Sequence, residues 1–330
     1  MQKARYGGDS NIQVVEGPDP IAGPGEVLVK TAVSAICGSE LHAYRGTPQD
    51  GNGGHEAAGT IVALGEGVNG LKVGQRVGVS CITGCGKCAI CAKGQYTYCP
   101  NVKFYGNMHA ERFLASAIAC HLLPDDISWE AGVLLSGDGL GVPYHTSVKI
   151  ASPEIKTVAV SGVGPIGLGN VLLQAHLGRR VCAVDLSPYR LELAKRLGAS
   201  DIVNAREEDV PSKLRALTGG VGPDVCIEAA GQPESAMACF KAVRTAGMVV
   251  FNGEQGALPI SPSDQFIRRD ITAVGSWFYH FSEFSQMLNL YQNGLRLLEL
   301  ISHRYPFKDA DAAYKQFSSR QSGKVLLYYS

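Results

Sequence analysis

Four cysteines fall within fifteen residues, as Cys85-x2-Cys88-x2-Cys91-x7-Cys99. Four thiolates at that spacing can close a tetrahedral zinc site with no open position, the arrangement of a structural metal. Disulfides and redox CxxC chemistry are the alternatives. A redox pair has no use for the fourth thiol, and disulfides fit badly with a reducing compartment. Two other stretches carry ligand chemistry: Cys37-Gly38-Ser39-Glu40-Leu41-His42 and Gly54-His55-Glu56. A thiolate at Cys37 and an imidazole at His55 are both good zinc ligands, but spacing alone does not pair them. A third pattern, Gly162-Val163-Gly164-Pro165-Ile166-Gly167, is GxGxxG. An acidic residue, Asp185, follows about twenty positions later, as dinucleotide sites require. Gly162 permits the tight turn, Gly164 lets backbone approach a pyrophosphate, and Gly167 allows helix and strand to pack closely. The pyrophosphate would sit at the N-terminus of the helix that Pro165 and Ile166 open, where free N–H groups favour an anion. Asp185 would accept from the adenosine ribose hydroxyls and repel a 2′-phosphate, which favours NAD over NADP, with Arg190 flanking the ribose.

These groups need elements to hold them. The first 130 residues or so are rich in glycine and short β-like runs, Val27–Thr31, Gly59–Leu64 and Arg76–Ser80, between turn signals. The pattern changes near residue 150. Strands are predicted at Thr157–Ser161, Arg180–Val184, Asp201–Val203, Asp224–Ala229, Met248–Phe251 and Ile271–Val274. Helices are predicted between them at Pro165–Leu177, from Pro188 behind a Ser187 cap to Leu197, at Glu207–Thr218 and at Glu234–Arg244. Such alternation argues for a parallel sheet covered on both faces, the doubly wound α/β Rossmann arrangement. Beyond Gly275 the alternation stops, leaving helices near Glu283–Asn293 and Asp309–Ser318 and a last strand at Lys324–Tyr328.

A chain of 330 residues has room for two domains. Its 30 basic and 30 acidic side chains cancel, which gives no reason to expect nucleic acid or an anionic membrane as partner. The longest apolar window, Val158–Gly178, is broken by glycines and polar residues and reads as strand, turn and helix, not as a membrane span. No secretory signal is evident at the N-terminus, so a cytoplasmic protein is expected. Of ten cysteines, Cys81, Cys120, Cys182, Cys226 and Cys239 lie outside the candidate metal sites; Cys182 and Cys226 read as small buried hydrophobes.

The order of motifs resembles the zinc-containing medium-chain dehydrogenase/reductase family of alcohol and polyol dehydrogenases. The likeness spans GPGEVLVK, CGSELH, GHEAAG, the four-cysteine lobe, GVGPIG, GPDVCIEAAG and SGKVLL. It implies a β-rich GroES-like catalytic domain of residues 1–140 and 278–330, with a Rossmann domain of residues 141–277 inserted and the active site in the cleft. It implies a catalytic zinc on Cys37 and His55, with Glu56 coordinating transiently. The third ligand of this family varies among Cys, Asp and Glu; SGDGLGVPYHT resembles the polyol version and places Asp138 there. Ser39 and His42 match the hydroxyl and histidine that pass the substrate proton to solvent. Lys324 falls where a basic side chain reaches the cofactor pyrophosphate, and Phe278 where a backbone amide meets the nicotinamide carboxamide. Gly38 departs from relatives that carry a basic residue there.

The activity so implied is hydride transfer between the carbinol carbon of an alcohol and NAD, with two zinc ions per chain. Trp277, Tyr279, His280, Asn252, Glu254, His109 and Tyr44 are expected to give a polar pocket wall, suited to a secondary alcohol of a polyol, sugar or cyclitol. The resemblance also implies a homodimer or homotetramer. A zinc-free quinone or enone reductase of the same superfamily, and a non-catalytic nucleotide-binding protein, are the competing readings.

Overall fold

A computed structural model describes all 330 residues, which fall into two compact units. One comprises Met1–Gly141, Tyr279–Asn293 and Ile301–Ser330; the other comprises Val142–Phe278 and Gly294–Leu300.

The first unit is built on a seven-stranded sheet. Its path runs Ile301–Pro306, Lys324–Tyr328, Glu26–Ala35, Ala57–Leu64, Arg76–Val79, Cys120–Leu122, and Arg112–Ser116 pairs alongside Glu26–Ala35. Glu26–Ala35 is longer than its sequence suggests. It pairs with Ala57–Leu64 across register shifts at Leu28/Val29 and Thr31/Val33, so polar Thr31 and Ser34 point inward. Such bulges re-aim side chains beside functional sites. An N-terminal hairpin, Gln2–Gly8 with Asn11–Glu16, was not foreseen. Its Tyr6 and Ile12 pack with Tyr44, Tyr314, Phe317 and Leu327 in one apolar cluster.

The second unit is a six-stranded, wholly parallel sheet in the order Asp201–Asn204, Arg180–Asp185, Thr157–Ser161, Val225–Glu228, Met248–Phe251, Thr272–Gly275. The order reverses at Thr157–Ser161, which creates the crevice where nucleotides bind in such folds. The strands are Val-, Ile- and Ala-rich and buried, as expected for a sheet covered on both faces. Predicted helices appear at Pro165–His176, Pro188–Arg196, Val210–Leu217 and Pro233–Ala242. Each begins with proline near its first position, where a missing N–H costs nothing. Ser187 accepts from Arg190 N as the expected cap. Cys182, Cys226 and Cys239 are core residues of this unit.

Residues 294–300 depart from the expectation of one continuous return over 278–330. The turn Leu297–Leu300 packs on helix Pro165–His176 and buries Leu297 and Leu300, so this short stretch belongs with the second unit. No helix is long and apolar enough to cross a membrane.

Candidate metal centres and nucleotide loop

Cys37 lies two residues beyond the long strand Glu26–Ala35 and precedes a 3-10 turn, Gly38–Glu40. His55 lies just before strand Ala57–Leu64. Asp138 is the first residue of helix Asp138–Lys149, entered from Trp129–Ser136 through Gly137. Strand pairing thus brings together residues far apart in the chain. Ligand atoms of Cys37, His55, Glu56 and Asp138 all lie within 4.8 Å of one another. Asp138 Oδ2 is 3.2 Å from Cys37 Sγ and 3.2 Å from His55 Nε2.

The donor chemistry of this cluster fits a divalent cation. Burial works against charge on His55, yet the Cys37 thiol and the Asp138 carboxylate hold its imidazole well above its usual range. Burial likewise opposes ionisation of Asp138, and the hydrogen bond to His55 overcomes it. Asp138 Oδ1 and Glu56 Oε2 are buried without hydrogen-bond partners, and unpaired carboxylate oxygens in a protein interior call for a cation.

Behind the ligands stands a residue the sequence reading passed over. Glu40 is buried, and its Oε1 accepts from Cys37 N at 3.1 Å and lies 3.6 Å from His55 Nδ1. His55 Nδ1 also reaches Gly53 O at 2.9 Å. Burial pushes the Glu40 carboxyl upward, but the imidazole of His109 and its other donors hold it below the usual range. The signal was present in the sequence: Cys37 to Glu40 is the three-residue spacing of a capping box, which the structure forms.

Ser39 and His42 are both exposed, on consecutive short turns three residues apart. Glu56 is fully buried and ion-paired with Lys324 Nζ. The side chain of Lys324, expected at the pyrophosphate, is 0% exposed and paired with Glu56 beside the cluster of Cys37, His55 and Asp138. The ammonium stays protonated despite burial because the Glu56 carboxylate outweighs the desolvation.

The pocket wall needs correction. Tyr279 is buried; its hydroxyl donates to Ser136 O at 2.6 Å and accepts from His121 Nε2 at 3.1 Å. His121 lies flat between Phe281 and Phe284, and burial lowers its pKa to about 3, so it is neutral. His280 bonds Thr97 Oγ1 and packs edge-on against Tyr98. Tyr44 packs at a tilt against Tyr314 in the apolar cluster and His109 is 0% exposed. These aromatic groups were read as lining because their polar tips suggested it; burial with satisfied partners removes them from that role. In the other unit Trp277 and Glu254 are exposed, and Asn252 bonds Thr146 and Ser276 O.

The four-cysteine lobe is gathered as its spacing predicts. Cys88 Sγ is 3.4 Å from Cys91 Sγ and 3.9 Å from Cys99 Sγ, and Cys85 Sγ is 4.0 Å from Cys91 Sγ. A tetrahedron of zinc–sulfur bonds has edges of about 3.8 Å. All ten cysteines are free. The backbone N–H of Lys87 lowers Cys85 to about 6, which favours thiolate, while burial raises Cys91 to about 12.

In the second unit the glycine loop follows strand Thr157–Ser161. Gly162 has φ +89°, a left-handed conformation that needs no Cβ. A Cβ on Gly167 would stand 1.9 Å from Gly162 O, so this helix can approach its own loop only with glycine there. Gly164 caps helix Pro165–His176, with Pro165 first, Ile166 next. Asp185 ends strand Arg180–Asp185; its Oδ2 accepts from Val163 N at 2.8 Å and its Oδ1 from Ser187 N at 2.9 Å. Arg190 Nη1 comes within 3.6 Å of the Cβ position of Gly164. Phe278 has φ +55° and is 6% exposed.

A Rossmann unit with this loop, in one chain with a β-rich unit carrying two metal-type clusters, marks a class: the two-domain metal-dependent dehydrogenases. Comparison with known proteins narrows it. Residues 23–125 match the alcohol dehydrogenase GroES-like domain and residues 165–293 match zinc-binding dehydrogenase. L-threonine 3-dehydrogenase of Symbiobacterium thermophilum is 32% identical, covering 99% of this chain and 96% of that one. Sorbitol dehydrogenase of Bacillus subtilis is 32% identical over 79% of this chain and 78% of its own. The solved alcohol dehydrogenase of Thermus sp. ATN1 superimposes with a TM-score of 0.90 at 28% identity, over 100% of both chains. The chain belongs to the zinc-binding dehydrogenase family, with its GroES-like domain and Rossmann-like parallel sheet, and is an oxidoreductase of the alcohol and polyol dehydrogenase type.

Proposed function

We propose that this protein oxidises a secondary alcohol of a polar, polyhydroxylated substrate with NAD, using one catalytic and one structural zinc per chain. The observation that carries the reading is the convergence of Cys37, His55 and Asp138 on one point, with Glu56 beside them. Cys37, His55 and Asp138 would hold the catalytic zinc with one position open; Cys85, Cys88, Cys91 and Cys99 would hold the structural one. When bound, the catalytic ion supplies Lewis acidity that makes a substrate hydroxyl acidic near neutral pH, and NAD supplies the hydride acceptor. The chain's own residues do the rest. Ser39 would accept the substrate proton as it gives up its own, and His42, exposed, would pass the released proton to solvent. The glycine loop Gly162–Gly167 seats the pyrophosphate at a helix N-terminus, and Asp185 and Arg190 bracket the adenosine ribose. The Phe278 backbone amide serves the carboxamide. Two relatives named for threonine and sorbitol favour a polar substrate. Free thiols throughout suit a cytoplasmic location. The unpaired edge at Thr272–Gly275 suits assembly as a homodimer or tetramer.

The test is metal content with activity. The protein as purified should hold about two zincs per chain and reduce NAD with a sorbitol-type polyol. Chelation should abolish turnover, and added zinc should restore it. Oxidation of NADH or NADPH by a quinone or enone that survives complete removal of zinc would favour the zinc-free reductase; no turnover in either assay would favour the non-catalytic reading.

Cofactor choice is separately testable. Asp185→Ala removes a charged acceptor worth about 1.5–3 kcal/mol, so kcat/KM for NAD should fall about 10–100-fold. Discrimination against NADP should relax as the repulsion of its phosphate is lost. An unchanged NAD to NADP ratio would remove Asp185 from the ribose site.

A further inference from the structure

His109 is 0% exposed, and each of its hydrogen-bonding groups is engaged. Its Nε2 is 3.0 Å from Glu40 Oε2, and its Nδ1 is 2.8 Å from Ser34 Oγ. A carboxylate only accepts, so Nε2 carries a proton and donates to Glu40, while Nδ1 shares a hydrogen bond with the Ser34 hydroxyl. Ser34 Oγ in turn lies 2.9 Å from Tyr329 Oη. The bonds therefore join Tyr329, Ser34, His109 and Glu40 in one continuous chain. Tyr314 also donates to Glu40 Oε2. Two donors thus pin one oxygen of the carboxylate, and its other oxygen is left to face Cys37 N and His55 Nδ1.

The backbone of the same residue grips the loop that carries His55. Asn52 Oδ1 accepts from both Gly54 N and His109 N, and Asn52 Nδ2 donates to His109 O at 3.1 Å. The imidazole lies so close to this loop that a Cβ on Gly54 would stand 2.7 Å from the ring. Side chain and backbone of one residue thereby fix both a carboxylate behind two ligands and the loop bearing one of them. An apolar residue could fill this space, but it could not orient Glu40.

We propose that His109 is a positioning residue for the catalytic metal site, acting through Glu40 on Cys37 and His55, with Ser34 holding the orientation of its ring. The inference rests on the proposed zinc reading of Cys37, His55 and Asp138. Groups that orient ligands from behind commonly change metal affinity about 10–100-fold when removed.

The experiment follows zinc release from the loaded protein into a chromogenic chelator, for wild type, His109→Phe and His109→Gln. Phe keeps the ring and loses both bonds; Gln keeps a donor for Glu40. One zinc should leave His109→Phe at least about tenfold faster than wild type, while the second, in the four-cysteine lobe, leaves at the wild-type rate. His109→Gln should release the first zinc more slowly than His109→Phe. Equal acceleration of both zincs, or a Gln variant as labile as the Phe variant, would overturn the proposal, since either would mean loosened packing. Should His109→Phe fail to fold, Ser34→Ala takes its place; faster loss of the first zinc alone supports the proposal and unchanged loss overturns it. Wild type holding only one zinc would instead defeat the underlying metal reading, a different result from any of these.

Discussion

Cys37→Ser is expected to hold one zinc per chain where the wild type holds two, and to lose catalysis by about 10³-fold or more. The serine hydroxyl stays protonated at neutral pH and is a poor ligand for zinc, so the site keeps one imidazole and one carboxylate of its three donors. Glu56 stands close to the vacant place with Oε2 unpaired, but a second carboxylate is a weaker zinc ligand than the lost thiolate, and Lys324 offsets its charge through Oε1. The loss should fall on kcat and kcat/KM together, because acidity of the substrate hydroxyl is expressed in the transition state. The thermal midpoint should fall, because a cation bound only by the folded chain is lost and Asp138 Oδ1 is left buried unpaired, but the fold should persist with the four-cysteine lobe and its metal untouched. Zinc analysis, steady-state kinetics and a melting curve on the same preparation check all three. Two zincs retained with full activity would take Cys37 out of the ligand set.

How much of this was legible beforehand follows from the range over which each signal acts. The cysteine lobe and the glycine loop are local. Cys85 to Cys99 and Gly162 to Gly167 are each one segment, and the alternation from Thr157 onward reports burial on both faces of a sheet, which a single strand already expresses. Boundaries came within a few residues for the same reason. The resemblance then paired Cys37, His55 and Asp138, and the structure brings these three together. What stayed hidden depends on distant pairing. Glu40 meets His109 and Tyr314 across separations of 69 and 274 residues. No periodicity records such a meeting; only the local half, the box between Cys37 and Glu40, left a trace. Tyr279 and His280 misled in the opposite sense. Polar tips on aromatic rings suggest a pocket wall, but Ser136 O and Thr97, which satisfy them, lie far off in the chain. The N-terminal hairpin was missed because its core partners, Tyr314 and Phe317, come from the C-terminal helix Ala310–Ser318.

Lys324 shows the same limit with an energetic consequence. Its place in SGKVLL implies a basic side chain reaching the cofactor pyrophosphate; nothing local signals Glu56, 268 residues away, which holds it in this structure. Both side chains are 0% exposed. Breaking a buried pair leaves one charge without its partner, which costs about 3–5 kcal/mol, whereas replacing both by apolar groups is often close to neutral. Lys324→Met should therefore lower the free energy of unfolding by about 3–5 kcal/mol. Glu56→Gln alone should be destabilising as well, because the ammonium is then buried unpaired. The double variant should recover much of the Lys324→Met loss, giving a coupling energy of about 1–3 kcal/mol in a double-mutant cycle. Urea unfolding of the four proteins, each loaded with zinc, measures the cycle. Additive losses would show that the two side chains contribute to stability separately. A melting curve unchanged in Lys324→Met would mean that the lysine can leave Glu56 at little cost, and a contact with a cofactor pyrophosphate would again be open to it.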